Sequence, residues 1–163
     1  MSRIVLLSKT AMVLVLGASL HLGTTPVAAA SAQACFPSAL TATKAALGSS
    51  KALSGLYNVY FGEALAKRAL AHKDKEWSKL SPSERQNQLT HTKQKMFSYA
   101  STIAAYARSK FSWRGNKVTV TSVSNPDDVT NMTVIMSGNG CKIADVCIGK
   151  HCLSRMIGDG TKG

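Results

Sequence analysis

Apolar residues change their spacing near residue 111, and that change limits the folds open to this chain more than any other feature. Up to there they recur every three or four positions, as on one face of a helix; beyond it they alternate, as on one face of a strand. Leu53, Leu56, Tyr57, Tyr60, Phe61, Ala64 and Leu65 make one wide apolar face, with Lys67 and Arg68 off it. Residues 38–50 predict a shorter first helix, with Ala39, Leu40, Ala46 and Leu47 on its apolar side; Gly48-Ser49-Ser50 weakens any continuation. After the solvated link His72-Lys73-Asp74-Lys75-Glu76 and Trp77, Ser81-Pro82-Ser83-Glu84 marks a helix start. Ser81 caps, Pro82 suits the first turn because its missing N–H needs no partner there, and Glu84 reaches back to the cap. The spacing of Leu89, Met96, Ala100, Ile103 and Ala107, flanked by Tyr99, Tyr106 and Phe111, predicts one long amphipathic helix ending near Lys110.

Beyond Arg114-Gly115-Asn116 the pattern is that of strands. Val118–Val123 is β-branched, Asn125-Pro126-Asp127-Asp128 breaks it, and residues 130–137 form a second strand centred on Thr133-Val134-Ile135. Gly138-Asn139-Gly140 signals a hairpin, and Cys141–Ile148 makes a third strand. Three antiparallel strands have one face to cover and the amphipathic helices can cover it. The expectation is an α+β domain, N-terminal helices packed on a curved antiparallel sheet of three to four strands.

The first 34 residues stand apart. Arg3 and Lys9 precede the apolar run Ala11–Ala18, and small residues close the segment at Ala28-Ala29-Ala30-Ser31-Ala32-Gln33-Ala34. That order is the one a cleaved secretory signal requires, with cuts offered after Ala30, Ala32 or Ala34, and the run is short of the about 20 apolar residues that a membrane span needs. Residues 1–34 are therefore read as a signal peptide and residues 35–163 as a single domain in the periplasm. Cys35 directly after Ala34 raises lipidation as a second reading, though Ala32 and Gln33 make a poor lipobox. Arg3 and Lys9 are the only charged residues removed, so 18 Lys+Arg against 8 Asp+Glu leave a formal +10. Such an excess attracts polyanions. Outside the cytoplasm these are lipid headgroups and envelope polysaccharide in preference to nucleic acid.

Four cysteines, Cys35, Cys141, Cys147 and Cys152, remain. An even count in an exported chain favours disulfides, with three connectivities open. On one strand, Cys141 and Cys147 would stand about 20 Å apart, against the about 7 Å that a bridge allows. Cys147 with Cys152 across the Gly149-Lys150-His151 turn, plus Cys35 with Cys141, is the preferred pairing. A metal site from Cys141, Cys147, His151 and Cys152 is the alternative, but its spacing fits none of the usual zinc patterns.

The order and spacing of Tyr60-Phe61, Leu65, Leu70, Trp77, Leu80-Ser81-Pro82-Ser83-Glu84-Arg85, Met96 and Tyr99-Ala100 resemble the MlaC/toluene-tolerance family, periplasmic phospholipid-binding components of the Mla ABC transport system. Cys141–Ile148 is similar to the family's closing strand, with Lys142, Ile143, Asp145, Val146, Ile148 and Leu153 on matching positions. The resemblance covers roughly residues 56–153. Cys141 stands where the family has Trp, Gly149-Lys150 where Glu-Gly is usual, and Cys152 where Ser is usual; the three predicted strands are one short of the family's sheet. The resemblance implies helices on a curved sheet enclosing a pocket for acyl chains. Taken singly, Phe61, Leu65, Met96 and Ile103 read as ordinary core. The resemblance groups them with Tyr57, Tyr99, Val120, Val134 and Ile143 as candidate pocket lining. Burying each CH₂ of a chain there would contribute about 0.8 kcal/mol.

Catalytic chemistry has little footing. His72, His91 and His151 lie in polar surroundings, Ser154 has no evident His–Asp company, and no GxSxG, HExxH or phosphate-cradling loop occurs. Asp145 reads as an anchor for backbone groups or an Arg. Asn131-Met132-Thr133 fits a glycosylation pattern but falls inside a predicted strand. Two functions follow. The first is a periplasmic carrier, without enzyme activity or cofactor, that moves a phospholipid or related envelope lipid between inner- and outer-membrane transport complexes. The alternative is a disulfide-stapled interaction module that has lost the cavity.

Overall fold

The computed structural model describes residues 31–138 and 140–158. Helix α1 spans Ala32–Ala46, six residues ahead of its expected start, and Ser31 caps it by accepting from the Ala34 N–H. Ser31–Ala34, read above as the end of the leader, form the cap and first residues of this helix, and Ala32 is buried; residues 1–30 lie outside the described residues.

Helices α2 (Ser50–Leu56) and α3 (Gly62–Ala71) replace the single predicted helix over 53–65. Between them Tyr57–Phe61 adopt π-helical geometry, a widened turn of the kind often found at functional sites. It closes at Gly62, whose φ of 53° lies in the left-handed region that only glycine enters freely. Two side chains make the break tolerable. The Tyr57 hydroxyl donates to the Gly62 carbonyl at 3.0 Å, and Lys142, distant in the chain, donates to the carbonyls of Asn58 and Val59.

A short 3₁₀ turn, Trp77–Lys79, leads to α4 (Pro82–Ser98). The expected capping box is present, with the Ser81 N–H donating to Glu84 Oε2 at 2.8 Å and the Glu84 N–H to Ser81 Oγ at 3.3 Å. The Ser81 hydroxyl, then its backbone N–H, holds the Glu84 carboxyl below the usual carboxylate range. Trp77 lies under Lys67 and Arg85, and Arg85 also donates to the Trp77 carbonyl, so the turn is pinned to both neighbouring helices. The predicted long helix is corrected: it breaks at Tyr99, continues as α5 (Ala100–Ala105) and ends in a 3₁₀ turn at Arg108. Phe111 is not on this helix. It belongs to β1 (Lys110–Arg114), where Phe111 and Trp113 alternate with exposed neighbours.

Strands β2 (Lys117–Thr121), β3 (Val129–Met136), β4 (Ile143–Ile148) and β5 (His151–Cys152) follow, then α6 (Leu153–Gly158), which no periodicity in so short a segment announced. The antiparallel sheet has the order β1-β2-β3-β4-β5. It is α+β as expected, but with five strands instead of three to four. The additions are β1, hidden by its continuity with the helix, and the two-residue β5. Paired positions put Phe111, Trp113, Val118, Val120, Met132, Val134, Val146 and Ile148 on one face. Helix α1 lies on that face, and buried Phe36 meets the edges of Phe111 and Trp113 at centroid distances of 6.2 Å. Helices α3 and α6 pack on each other and on β4. Among the described residues no helix is long and apolar enough to cross a membrane.

The disulfides join Cys35 to Cys141 and Cys147 to Cys152, the pairs preferred from the sequence. The first ties α1 to the β3–β4 connection; the second clamps the β4–β5 turn.

Candidate functional site

The aromatic and aliphatic residues of α1 and α5 do not close completely on the sheet. Between them runs an apolar slot of about 190 Å³. Phe36, Ala39 and Leu40 of α1 form one wall, and Tyr99, Thr102, Ile103 and Tyr106 form another. Met132, Val146 and Ile148 supply the sheet wall, Phe61 one end, and His151, Leu153 and Met156 the other. Thr102 and His151 aside, every lining residue is apolar or aromatic. Exposed Ile148, His151 and Met156 mark the mouth.

Local sequence explains why the slot sits there. Alternation on β3 and β4 delivers Met132, Val146 and Ile148 to the face that α1 covers; the register shifts only between Ile135 and Met136, outside these pairs. The Tyr99 break lets α5 turn so that Thr102, Ile103 and Tyr106 face the same space. Ala39 on α1 leaves room that a longer side chain would occupy.

Of the nine predicted lining residues, Phe61, Tyr99 and Ile103 line the slot. Leu65, Val120, Val134 and Ile143 are instead fully buried in the close-packed centre, where helix and sheet faces meet directly. Tyr57 and Met96 border, with Phe61, a separate void of about 10 Å³, scarcely room for one water. Burial pushes the Tyr57 hydroxyl far above the ordinary phenol range, a hydrogen bond with Thr92 opposing this in part, so it stays a neutral donor to Gly62. The α1 wall, Met132 and Val146 escaped the sequence prediction, although Ala39 and Leu40 stood on the apolar side of the first helix. The signal that could have added the far end is Leu153 and Met156, three positions apart.

A polar cluster lies where α3, β4 and α6 meet. Asp145 is completely buried on β4; its Oδ2 accepts from Arg68 Nε at 2.8 Å and from the Ser154 hydroxyl. Its Oδ1 accepts from the N–H groups of Ser154 at 2.9 Å and Val146 at 3.0 Å. His72 Nε2 is 3.0 Å from Ser154 Oγ. Ser154 therefore does have histidine and aspartate neighbours, against the sequence expectation. The order is wrong for nucleophilic catalysis, however: the serine donates straight to the carboxylate and is itself fully buried. The cluster anchors α6 to α3 and β4. Asp145, Cys147 and Cys152 are also close enough to suggest a cation, but both sulfurs are in the disulfide and the carboxylate is fully bonded.

A solved structure shares this architecture. It is the phospholipid-binding protein from Ralstonia solanacearum, solved in complex with a phospholipid. The likeness has a TM-score of 0.55 at 18% identity and covers 80% of this chain and 84% of that one. No protein-family model and no curated protein sequence matches. The shared feature is the fold, a twisted antiparallel sheet faced by helices.

Proposed function

We propose that the protein binds a phospholipid or related envelope lipid by taking acyl chain into the slot between α1, α5 and the sheet. The observation that carries this reading is the lining itself: fourteen residues, with Thr102 and His151 the exceptions to an apolar or aromatic wall. The fold shared with a phospholipid-binding protein supports it. At about 190 Å³ the slot is smaller than the roughly 300–1,000 Å³ of ordinary ligand sites, so it takes part of one chain as it stands. Half-exposed Met156 and Ile148 flank the mouth, and Met156 in particular is flexible enough to admit more. Each CH₂ enclosed contributes about 0.8 kcal/mol.

The protein acts as a carrier without catalysis, exported to the periplasm by the leader and passing its lipid between inner- and outer-membrane transport complexes. Of the three candidate cuts, that after Ala30 keeps Ser31 as the cap of α1 and Ala32 in the core. The formal +10 that remains once the leader with Arg3 and Lys9 is removed favours anionic membrane partners over neutral ones. The stapled interaction module has both disulfides in its favour, but the slot that it would have lost is present.

Native mass spectrometry of the periplasmically expressed protein, with organic extraction, tests the reading. A discrete added mass that resolves to a phospholipid is expected. In Ile103→Trp, which fills the slot from its half-buried wall, that mass should disappear while the thermal melt stays cooperative. A bare protein mass in the wild type would sink the carrier reading.

A further inference from the structure

The character of the surface changes abruptly at the mouth of the slot. A shallow depression of about 290 Å³ adjoins it, lined by Lys150, His151, Cys152, Arg155 and Met156. His151 and Met156 line both cavities, so the two adjoin across these side chains. Inside the slot the walls are apolar; outside, Lys150, His151 and Arg155 supply basic groups, and none of the depression's lining residues is acidic. Gly149, with a φ of 57°, and Lys150 make the tight turn, and His151 opens β5 directly after it. The Cys147–Cys152 disulfide joins the two strands flanking that turn. The backbone that carries Lys150 and His151 is therefore fixed before any ligand arrives, which lowers the entropy cost of engaging one.

We propose that this depression receives the phosphate of an anionic phospholipid whose acyl chain lies in the slot, and that it makes the protein select anionic over zwitterionic headgroups. The inference rests on the acyl-slot reading above. Its physical basis is charge: a zwitterionic headgroup brings its own cation against Lys150, whereas an anionic one brings only opposite charge. The groups are solvent-exposed, so the selectivity is modest and weakens with salt.

Short-chain lipids that stay monomeric test this without adsorption to a bilayer. Calorimetric titration with dihexanoylphosphatidylglycerol and dihexanoylphosphatidylcholine, identical in their chains, should give roughly fivefold tighter binding of the former. That ratio should fall to near unity in Lys150→Glu and in raised salt. Inorganic phosphate alone should bind far more weakly than the anionic lipid. Equal binding of the two lipids by the wild type, or a preference that persists in Lys150→Glu, overturns the headgroup site and leaves the slot standing. Phosphate that binds as tightly as the lipid overturns the assignment to a lipid headgroup. If neither lipid binds, the slot reading fails, and this inference with it.

Discussion

Asp145 shows how one residue carries a structural role that composition alone would leave open. A lone acid on a strand is costly to bury, and this one is fully buried. Arg68, the Ser154 hydroxyl and two backbone N–H groups satisfy its oxygens. Asp145→Ala leaves Arg68 and the α6 N-terminus without their acceptor, and stability should fall by about 2–4 kcal/mol, measured by urea unfolding. Asp145→Asn, which keeps the shape and one acceptor, should cost less. Several positions that carry the family resemblance have structural partners of the same kind. Lys142 holds the π-helical turn, Trp77 and Arg85 pin the α3–α4 link, and Ser81 with Glu84 caps α4. These positions hold this fold together, and only Phe61, Tyr99, Val146, Ile148 and Leu153 among those that carry the resemblance also reach the slot.

At the scale of elements, the breaks between helices shape the site more than the helices do. Continuous helices through Tyr57–Phe61 and Tyr99 would carry Phe61 and Ile103 to different angles. Their interruption is what brings both to one space. Helix α6 is a second case. A Cβ at Gly158 would stand 2.5 Å from the Ala69 carbonyl, so the close approach of α6 to α3 depends on glycine. Gly158→Ala should push α6 away and lower stability by roughly 1–3 kcal/mol. Because Leu153 and Met156 line the slot from α6, lipid retention should drop with it, as read by the fraction of lipid-bound mass. Retention unchanged in that variant would show that α6 does not form the end of the site.

For the molecule as a whole, the disulfides have different tasks. Cys35–Cys141 spans 106 residues and joins the helical half to the sheet half, while Cys147–Cys152 spans 5 and constrains one turn. In the chain-entropy view a loop of the first size restrains the unfolded state by about 4–5 kcal/mol. Cys35→Ser with Cys141→Ser should therefore lower the unfolding midpoint far more than the corresponding pair at 147 and 152. The latter should act chiefly on the anionic-lipid preference. Chemical unfolding under non-reducing conditions measures the first effect, and the lipid titration the second.

How much of this was legible beforehand follows from the range of each interaction. The periods 3.6 and 2, the Ser81–Glu84 cap and the break at Asn125–Asp128 are local, so residue types alone determined the α+β class, the start of α4 and the main strands. The cysteine spacing excluded one connectivity for the same reason. Strand β1 was masked because Phe111 continues the helical spacing before it alternates with Trp113, and α6 is too short to show a period. Periodicity also names an apolar face without saying what covers it. Leu65, Val120, Val134 and Ile143 share that apolar character with Phe61 and Ile103, yet close packing seals the first four in the core. Which part of the face stays open depends on where α1 and α5 come to rest against β3 and β4. Those are contacts between residues distant in the chain, so only the tertiary structure decided the slot and the basic rim beside it.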